Sequence, residues 1–279
     1  MKDFWKRFSR NKGAVLGLVI LLAVVVLSAS APFLFPRSPW AMVQRPFIPP
    51  FTMNGFLLGT DPMGRDLAAG LAHGAGISLL VGLVSTVVSL AIGIPIGALA
   101  GYFGGWVDDV LMRFTEFFQS VPSFALAVVL VAIFQPSIAS IVAAIAIVSW
   151  PPVARLLRGE VMSLKSREFV EAAVLSGQTH ATIIWRQILP NTLSPIIVLA
   201  SMMVAAAILI ESSLSFLGLG DRNVMSWGYI IGAGRTVIRQ AWWVSFFPGA
   251  AILLTVLALN LIGEGLNDAL NPRLARRGK

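Results

Sequence analysis

The sequence contains no cysteine, which removes disulfide scaffolds, thiolate nucleophiles and thiolate-bound metals together. Histidine is nearly missing: His73 and His180 are the only two, too few for a histidine-rich metal centre. Charge is also scarce. Asp, Glu, Lys and Arg make up 12% of the 279 residues, about half the ~25% of ordinary soluble domains. The only Gly-Lys pair is Gly278-Lys279, so a glycine-rich phosphate cradle ending in lysine is absent. There is no His-Glu-x-x-His, no Gly-x-Ser-x-Gly and no carboxylate pair inside an apolar run. Metal-dependent and serine-dependent hydrolysis therefore lack their residues. No catalytic residue, no metal ligand and no cofactor bound by this chain is assigned.

What the chain has instead is apolar bulk, with 57% hydrophobic residues and a mean hydropathy of +0.82. Disorder is excluded by that content. A hydrocarbon core of about 30 Å needs roughly 20 helical residues, and charge-free stretches of sufficient length occur at 13–36, 67–107, 117–154, 187–210 and 240–263. The third is divided at Gln135-Pro136-Ser137, a polar turn signal. Its first helix is expected to start near Val110, taking Arg113 and Glu116 to the membrane boundary. Its second runs from about 138 to 157 and contains Pro151-Pro152, where a kink or unwound turn is expected. The second stretch exceeds one span, so its first ten or so residues are expected along the interface. The sum is an all-α integral membrane protein, a bundle of six transmembrane helices. A β-barrel would need alternating segments of about ten residues, and none is seen.

Lysine and arginine placement sets the orientation. With both termini cytoplasmic, 15 of the 21 basic residues fall on inside segments: the N-terminal run, Arg113, the 155–186 connection and the C-terminal run. Six fall outside. The net charge of +8 then serves orientation and contact with anionic membrane lipid. Nucleic acid is not an expected partner, because the basic residues are not gathered on one folded surface. A basic start, an apolar run and Ser28-Ala29-Ser30-Ala31 are like a cleavable signal peptide, but the charge-free run is 24 residues, longer than the usual 7–15. It is read as a retained first span. The expected organisation is a cytoplasmic segment 1–12, a first span 13–36, an extracytoplasmic loop 37–76, a five-helix core 77–263 and a cytoplasmic tail 264–279.

Within the core, the polar, basic connection 158–190 is long for a turn. Ser166 is expected to cap a short helix over Glu168-Phe169-Val170-Glu171-Ala172-Ala173 and beyond, with Gly177 as a left-handed stop. Thr179 is expected to cap a second helix from Ala181 to about Leu189, ended by Pro190. Two short helices about a glycine hinge would form a compact knob.

Glu171-Ala172-Ala173, Gly177 and Leu189-Pro190 resemble the EAA loop of binding-protein-dependent ABC importer permeases. Gln187 departs from that pattern, which has isoleucine there. Three further segments resemble the C-type subunit of the peptide/nickel subfamily. These are Gly59-Thr60-Asp61-Pro62-Met63-Gly64-Arg65-Asp66; Leu214-Ser215-Phe216-Leu217-Gly218-Leu219-Gly220 with Ser226-Trp227-Gly228; and the stretch from Trp242-Trp243 through Phe247-Pro248-Gly249 and Asn260-Leu261-Ile262-Gly263-Glu264-Gly265-Leu266 to Asn271-Pro272-Arg273. Gly70 and Gly76 stand where the family tends to have arginine, Glu264 and Asn271 where aspartate is usual.

The resemblance implies the type I importer permease fold in a bacterial cytoplasmic (inner) membrane. It implies a homologous second permease subunit of the B type, two ABC ATPases that use ATP and Mg, and an extracytoplasmic substrate-binding protein. The cargo implied is di- or oligopeptides, with nickel or a metal chelate as the alternative. Glu171, Ala172, Ala173, Gly177, Leu189 and Pro190 would form the ATPase-coupling loop. Glu171 would orient it by capping or ion pairing, while Ala172 and Ala173 allow close approach. Asp61, Arg65 and Asp66 read either as a local ion-paired turn or as contacts for the binding protein. Glu211 reads either as a functional acid at membrane depth or as a hydrated group near the surface. The small residues Gly82, Gly93, Gly97, Ala98 and Gly101 read as a packing face or a pore lining. Trp40, Trp106, Trp227, Trp242 and Trp243 are expected in interfacial belts.

Overall fold

The computed structural model describes residues 2–270; the expected motif Asn271-Pro272-Arg273 and the basic tail lie outside the described residues. The elements are helical: α1 Lys2–Phe8, α2 Lys12–Leu34, α3 Leu67–Phe103, α4 Gly105–Ser120, α5 Ser123–Phe134, α6 Ile138–Lys165, α7 Glu168–Leu175, α8 His180–Thr182, α9 Leu193–Leu214, α10 Trp227–Gly234 and α11 Trp243–Leu270. A π-helical turn, Ile183–Ile188, and a 3₁₀ turn, Leu189–Thr192, join α8 to α9. Among the described residues five helical stretches are long and apolar enough to cross a membrane, or six if the bent pair α4–α5 is counted as one span.

At the centre stands α3. Its 37 residues span about 55 Å at 1.5 Å per residue. The expected interfacial segment before residue 77 is not separate: the helix is continuous from Leu67. Asp66 caps it, accepting from the Ala68 amide at 2.9 Å. The first turns are buried by tertiary contact, with Gly70 against Met225 and Ile230, and Gly74 against Trp227. The small residues further along are a packing face. A Cβ on Gly93 would sit 2.6 Å from the Val153 Cβ, one on Gly97 2.3 Å from the Ala154 carbonyl, and one on Gly101 2.7 Å from the Arg158 carbonyl. These glycines recur every four residues, so they form one stripe along which α6 lies at backbone distance. Gly82 meets Ile208 and Val204 of α9 in the same way.

Of the kink or unwound turn expected at Pro151-Pro152, the unwinding does not occur: both prolines lie inside a helix assigned without interruption. Packing of Val153 and Ala154 on the α3 stripe holds the turn that the prolines weaken. The real break is at Val121-Pro122, where α4 and α5 meet at 81°. Val121 is extended (φ −94°, ψ 133°), the conformation that a following proline imposes. The helix expected from Val110 therefore begins at Gly105 and turns sharply. Its second limb, 12 residues, covers only about 18 Å.

The first span docks on the last. Asn11 caps α2 through Ala14 N and donates to Asp268 at 3.0 Å, and Gly17 faces the Ala258 carbonyl. Helix α11 continues past 263, so the expected tail begins as helix. Two of the five belt tryptophans are core residues: Trp227 donates to the Leu71 carbonyl at 3.0 Å, and Trp243 to the Thr60 carbonyl at 3.1 Å. Trp106 and Trp242 are exposed.

Candidate functional site

The knob between α6 and α9 is built from local rules. Helix α6 runs on to Lys165 and Ser166 is its C-cap, so the cap of α7 moves one residue on to Arg167, whose side chain does not bond. The stop is as expected: Gly177 has φ +70°, with its amide on the Val174 carbonyl at 2.9 Å and the Gln178 amide on the Ala173 carbonyl at 3.1 Å. This pair of bonds is a Schellman closure, which needs a left-handed residue where glycine stands. Thr179 caps the next turn through the Thr182 amide at 3.3 Å, starting the helix at His180, one residue earlier than expected. Pro190 does not end that helix. It opens the 3₁₀ turn, where its missing N–H costs nothing, and the helical path passes through the π and 3₁₀ turns into α9.

The knob has two faces. Val170, Ala173, Ile183, Ile184, Ile188 and Leu189 are buried with Tyr102, Leu157 and Val161 of the bundle. The Tyr102 hydroxyl lies 2.9 Å from His180 Nδ1, tying the knob to the end of α3. Gln187, the departure from the family pattern, donates to Gln178 across the hinge at 3.3 Å. On the outward face lie Glu168, Glu171, Ala172 and Pro190, with Leu175 at 89% and Trp185 at 62% exposure. The paired alanines are thus divided: Ala173 packs inward, and only Ala172 faces out. Glu171 makes no cap or ion pair among the described residues, contrary to expectation. Trp185 was missed by sequence reasoning, although an aromatic between two buried isoleucines and two polar residues was a visible signal.

On the opposite end, Asp61 and Arg65 form a buried ion pair, Nε to Oδ2 at 2.5 Å, with exposures of 6% and 4%. Asp61 also accepts from the amides of Met63 and Arg65. The guanidinium sits 5.2 Å above Trp40 and 5.7 Å from the Tyr229 ring centroid. Burial pulls its pKa down, but Tyr229 and Asp61 outweigh that and the net shift is upward. Asp66 stays outside this pair and caps α3. Burial raises its pKa, while the amides of Ala68 and Ala69 oppose the shift. Gly59 and Gly64 have φ of +80° and +74°, and a Cβ on either would meet the Ile48 or Gln44 carbonyl. The segment 59–66 is therefore a folded turn that fastens the proline-rich loop to α10 and α11.

Glu211 is buried within the chain, at 1% exposure. It accepts from Ser226 at 2.7 Å, Ser215 at 2.8 Å and Ser212 at 3.4 Å. Ser226 also caps α10 through the Tyr229 amide at 3.1 Å. Sequence reasoning did not name these serines as partners. Among the described residues no group of three His, Cys, Asp or Glu could hold a metal ion.

Residues 93–276 match the family described as binding-protein-dependent transport system inner membrane component. Residues 1–54 match the N-terminal TM domain of oligopeptide transport permease C. The chain belongs to the binding-protein-dependent transport permeases. It is 43% identical to the di/tripeptide transport system permease protein DppC of Pseudomonas aeruginosa, with 98% of this chain and 92% of that protein covered. It is 41% identical to the oligopeptide transport system permease protein OppC of Haemophilus influenzae, covering 98% and 88%. Among solved structures it resembles a chain of the inward-facing MetNI methionine ABC transporter, with a TM-score of 0.61 at 17% identity over 72% of this chain and 96% of that one. That likeness concerns the fold alone.

Proposed function

We propose that this chain is one of two transmembrane subunits of an ATP-driven importer of di- and oligopeptides in the bacterial inner membrane, with both termini cytoplasmic. The observation that carries the coupling role is the two-faced knob: its inner face is packed and tied to α3, while Glu171, Leu175 and Trp185 point outward, uncovered by any of the described residues. A groove on each of two ABC ATPases would take such a face, here and on the second permease. ATP and Mg belong to those ATPases, and this chain carries no catalytic step. The bundle supplies a two-state element whose balance the ATPases bias. An extracytoplasmic binding protein would deliver the peptide. Relatives named for di-, tri- and oligopeptides support that cargo over nickel or a metal chelate.

The test is reconstitution of the whole complex in liposomes. Labelled dipeptide is expected to accumulate only with ATP inside and loaded binding protein outside. Accumulation on an ion gradient without ATP would instead mark a secondary transporter and end this reading.

A further inference from the structure

The break at Pro122 opens a cavity of about 570 Å³ between α4, α5, α6 and α9, within the ~300–1,000 Å³ of small-molecule sites. Its polar lining is Gln119, Ser123, Ser149 and Arg155; Met202 and Met203 supply much of the apolar wall. Val148, Pro152 and Arg155 recur at intervals of four and three residues, so α6 presents them on one face. Arg155 is the only charged side chain on this lining. It also lines a neighbouring cavity of about 560 Å³ with Asp108, Asp109, Arg113, Glu116 and Arg158, and so stands where the two meet.

The two arginines, one turn apart, differ in their partners. Arg158 is held by Asp108 through Nε and Nη2. Arg155 has no hydrogen bond or ion pair among the described residues, and it is exposed. An unpaired guanidinium near the end of a membrane span, facing an otherwise uncharged cavity, calls for an anion. Its planar fork suits a carboxylate. Methionines are unbranched and polarizable, and they adapt to side chains of different shape. A wall of this kind tolerates varied cargo while the charged end is fixed.

We propose that Arg155 holds the C-terminal carboxylate of a peptide in passage, with the methionine-walled cavity taking its side chains. This rests on the peptide-importer reading above. A single cation without a second anchor also lets the cargo leave, as a transport site must.

The experiment uses the reconstituted complex in phosphatidylethanolamine/phosphatidylglycerol liposomes, with saturating binding protein preloaded with a dipeptide or its C-terminal amide. Arg155→Gln is expected to lower uptake of the free acid about tenfold, to leave the amide unchanged, and to be partly rescued by Arg155→Lys. Arg113→Gln, on the second cavity only, is expected to change neither. In a second arm, the cysteine-free chain carrying Ser149→Cys is expected to be alkylated during turnover by a bromoacetylated dipeptide acid and not by its amide. Equal loss of acid and amide, with a dependence on phosphatidylglycerol, would assign Arg155 to lipid phosphate and overturn the proposal. Free-acid uptake by Arg155→Gln at the wild-type rate, or equal alkylation by acid and amide, would overturn it while leaving the peptide reading intact. A wild-type complex that carries no peptide at all would remove both.

Discussion

The two ends of the bundle treat their polar side chains in opposite ways. At the 59–66 turn and around Glu211, charged and hydroxyl groups are buried and matched inside the chain: Asp61 to Arg65, Asp66 to the first amides of α3, Glu211 to three serines. At the knob the Gly177 closure and the Thr179 cap are also made, yet Glu171 and the apolar Leu175 and Trp185 are left facing out. A motif that closes on itself fixes geometry. One that leaves unmatched chemistry facing out offers what the proposed docking on an ATPase requires. Both looked like functional motifs in the sequence, and only burial separates them.

The sharpest way to break that contrast is Asp61→Ala. It would leave Arg65, a residue only 4% exposed, without its anion, and stranding one member of a buried pair costs about 3–5 kcal/mol. A large fall in the thermal midpoint of the purified permease is expected. Replacing both partners, Asp61→Asn with Arg65→Met, keeps an oxygen for the Met63 and Arg65 amides and is expected to recover much of it. An Asp61→Ala protein as stable as the parent but deaf to loaded binding protein would instead make this turn a docking face.

Gly177→Val is expected to act less on stability and more on transport. A Cβ there meets nothing within 4 Å, so the main cost is backbone strain, about 2 kcal/mol or more for a β-branched residue in the left-handed region. The variant should insert and keep most of its thermal stability, while ATP-driven uptake falls. Gly177→Asp, with a residue type that tolerates this conformation better, adds a charge to the outward surface. It is expected to uncouple transport with a smaller stability loss. Uptake at the parent rate by both variants, with ATPases still bound, would remove the hinge from the coupling role.

Much of this was readable from residues because it rests on local rules. The charge-free runs, the Gln135-Pro136-Ser137 break, the Gly177 stop and the Thr179 cap each depend on a few neighbours. What was missed depends on distant ones. Pro151 and Pro152 resemble a helix breaker in isolation, but the α3 glycine stripe holds the turn. Pro122, with no such support, breaks the third apolar stretch instead. Trp227 and Trp243 have the composition of an interfacial belt, and only the Leu71 and Thr60 carbonyls brought close by folding make them core donors. The serines at 212, 215 and 226 gain their purpose when the loop before α10 folds back on α9.

The mildest substitution sharpens the contrast most. Glu171 is exposed, has no partner among the described residues and lies in the first turn of α7. Its removal forfeits only a favourable interaction with the helix N-terminus, about 0.5 kcal/mol. Glu171→Ala is therefore expected to leave the thermal midpoint of the isolated permease within error of the parent. If the carboxylate meets a basic group on an ATPase, the lost charge-assisted bond is worth about 1.5–3 kcal/mol, a tenfold or greater fall in affinity. That fall is measurable by titrating ATPase subunits onto permease in nanodiscs, and Glu171→Gln should show most of it. A silent result in both the stability and the titration would mean that the outward face of α7 is covered by something other than the motor.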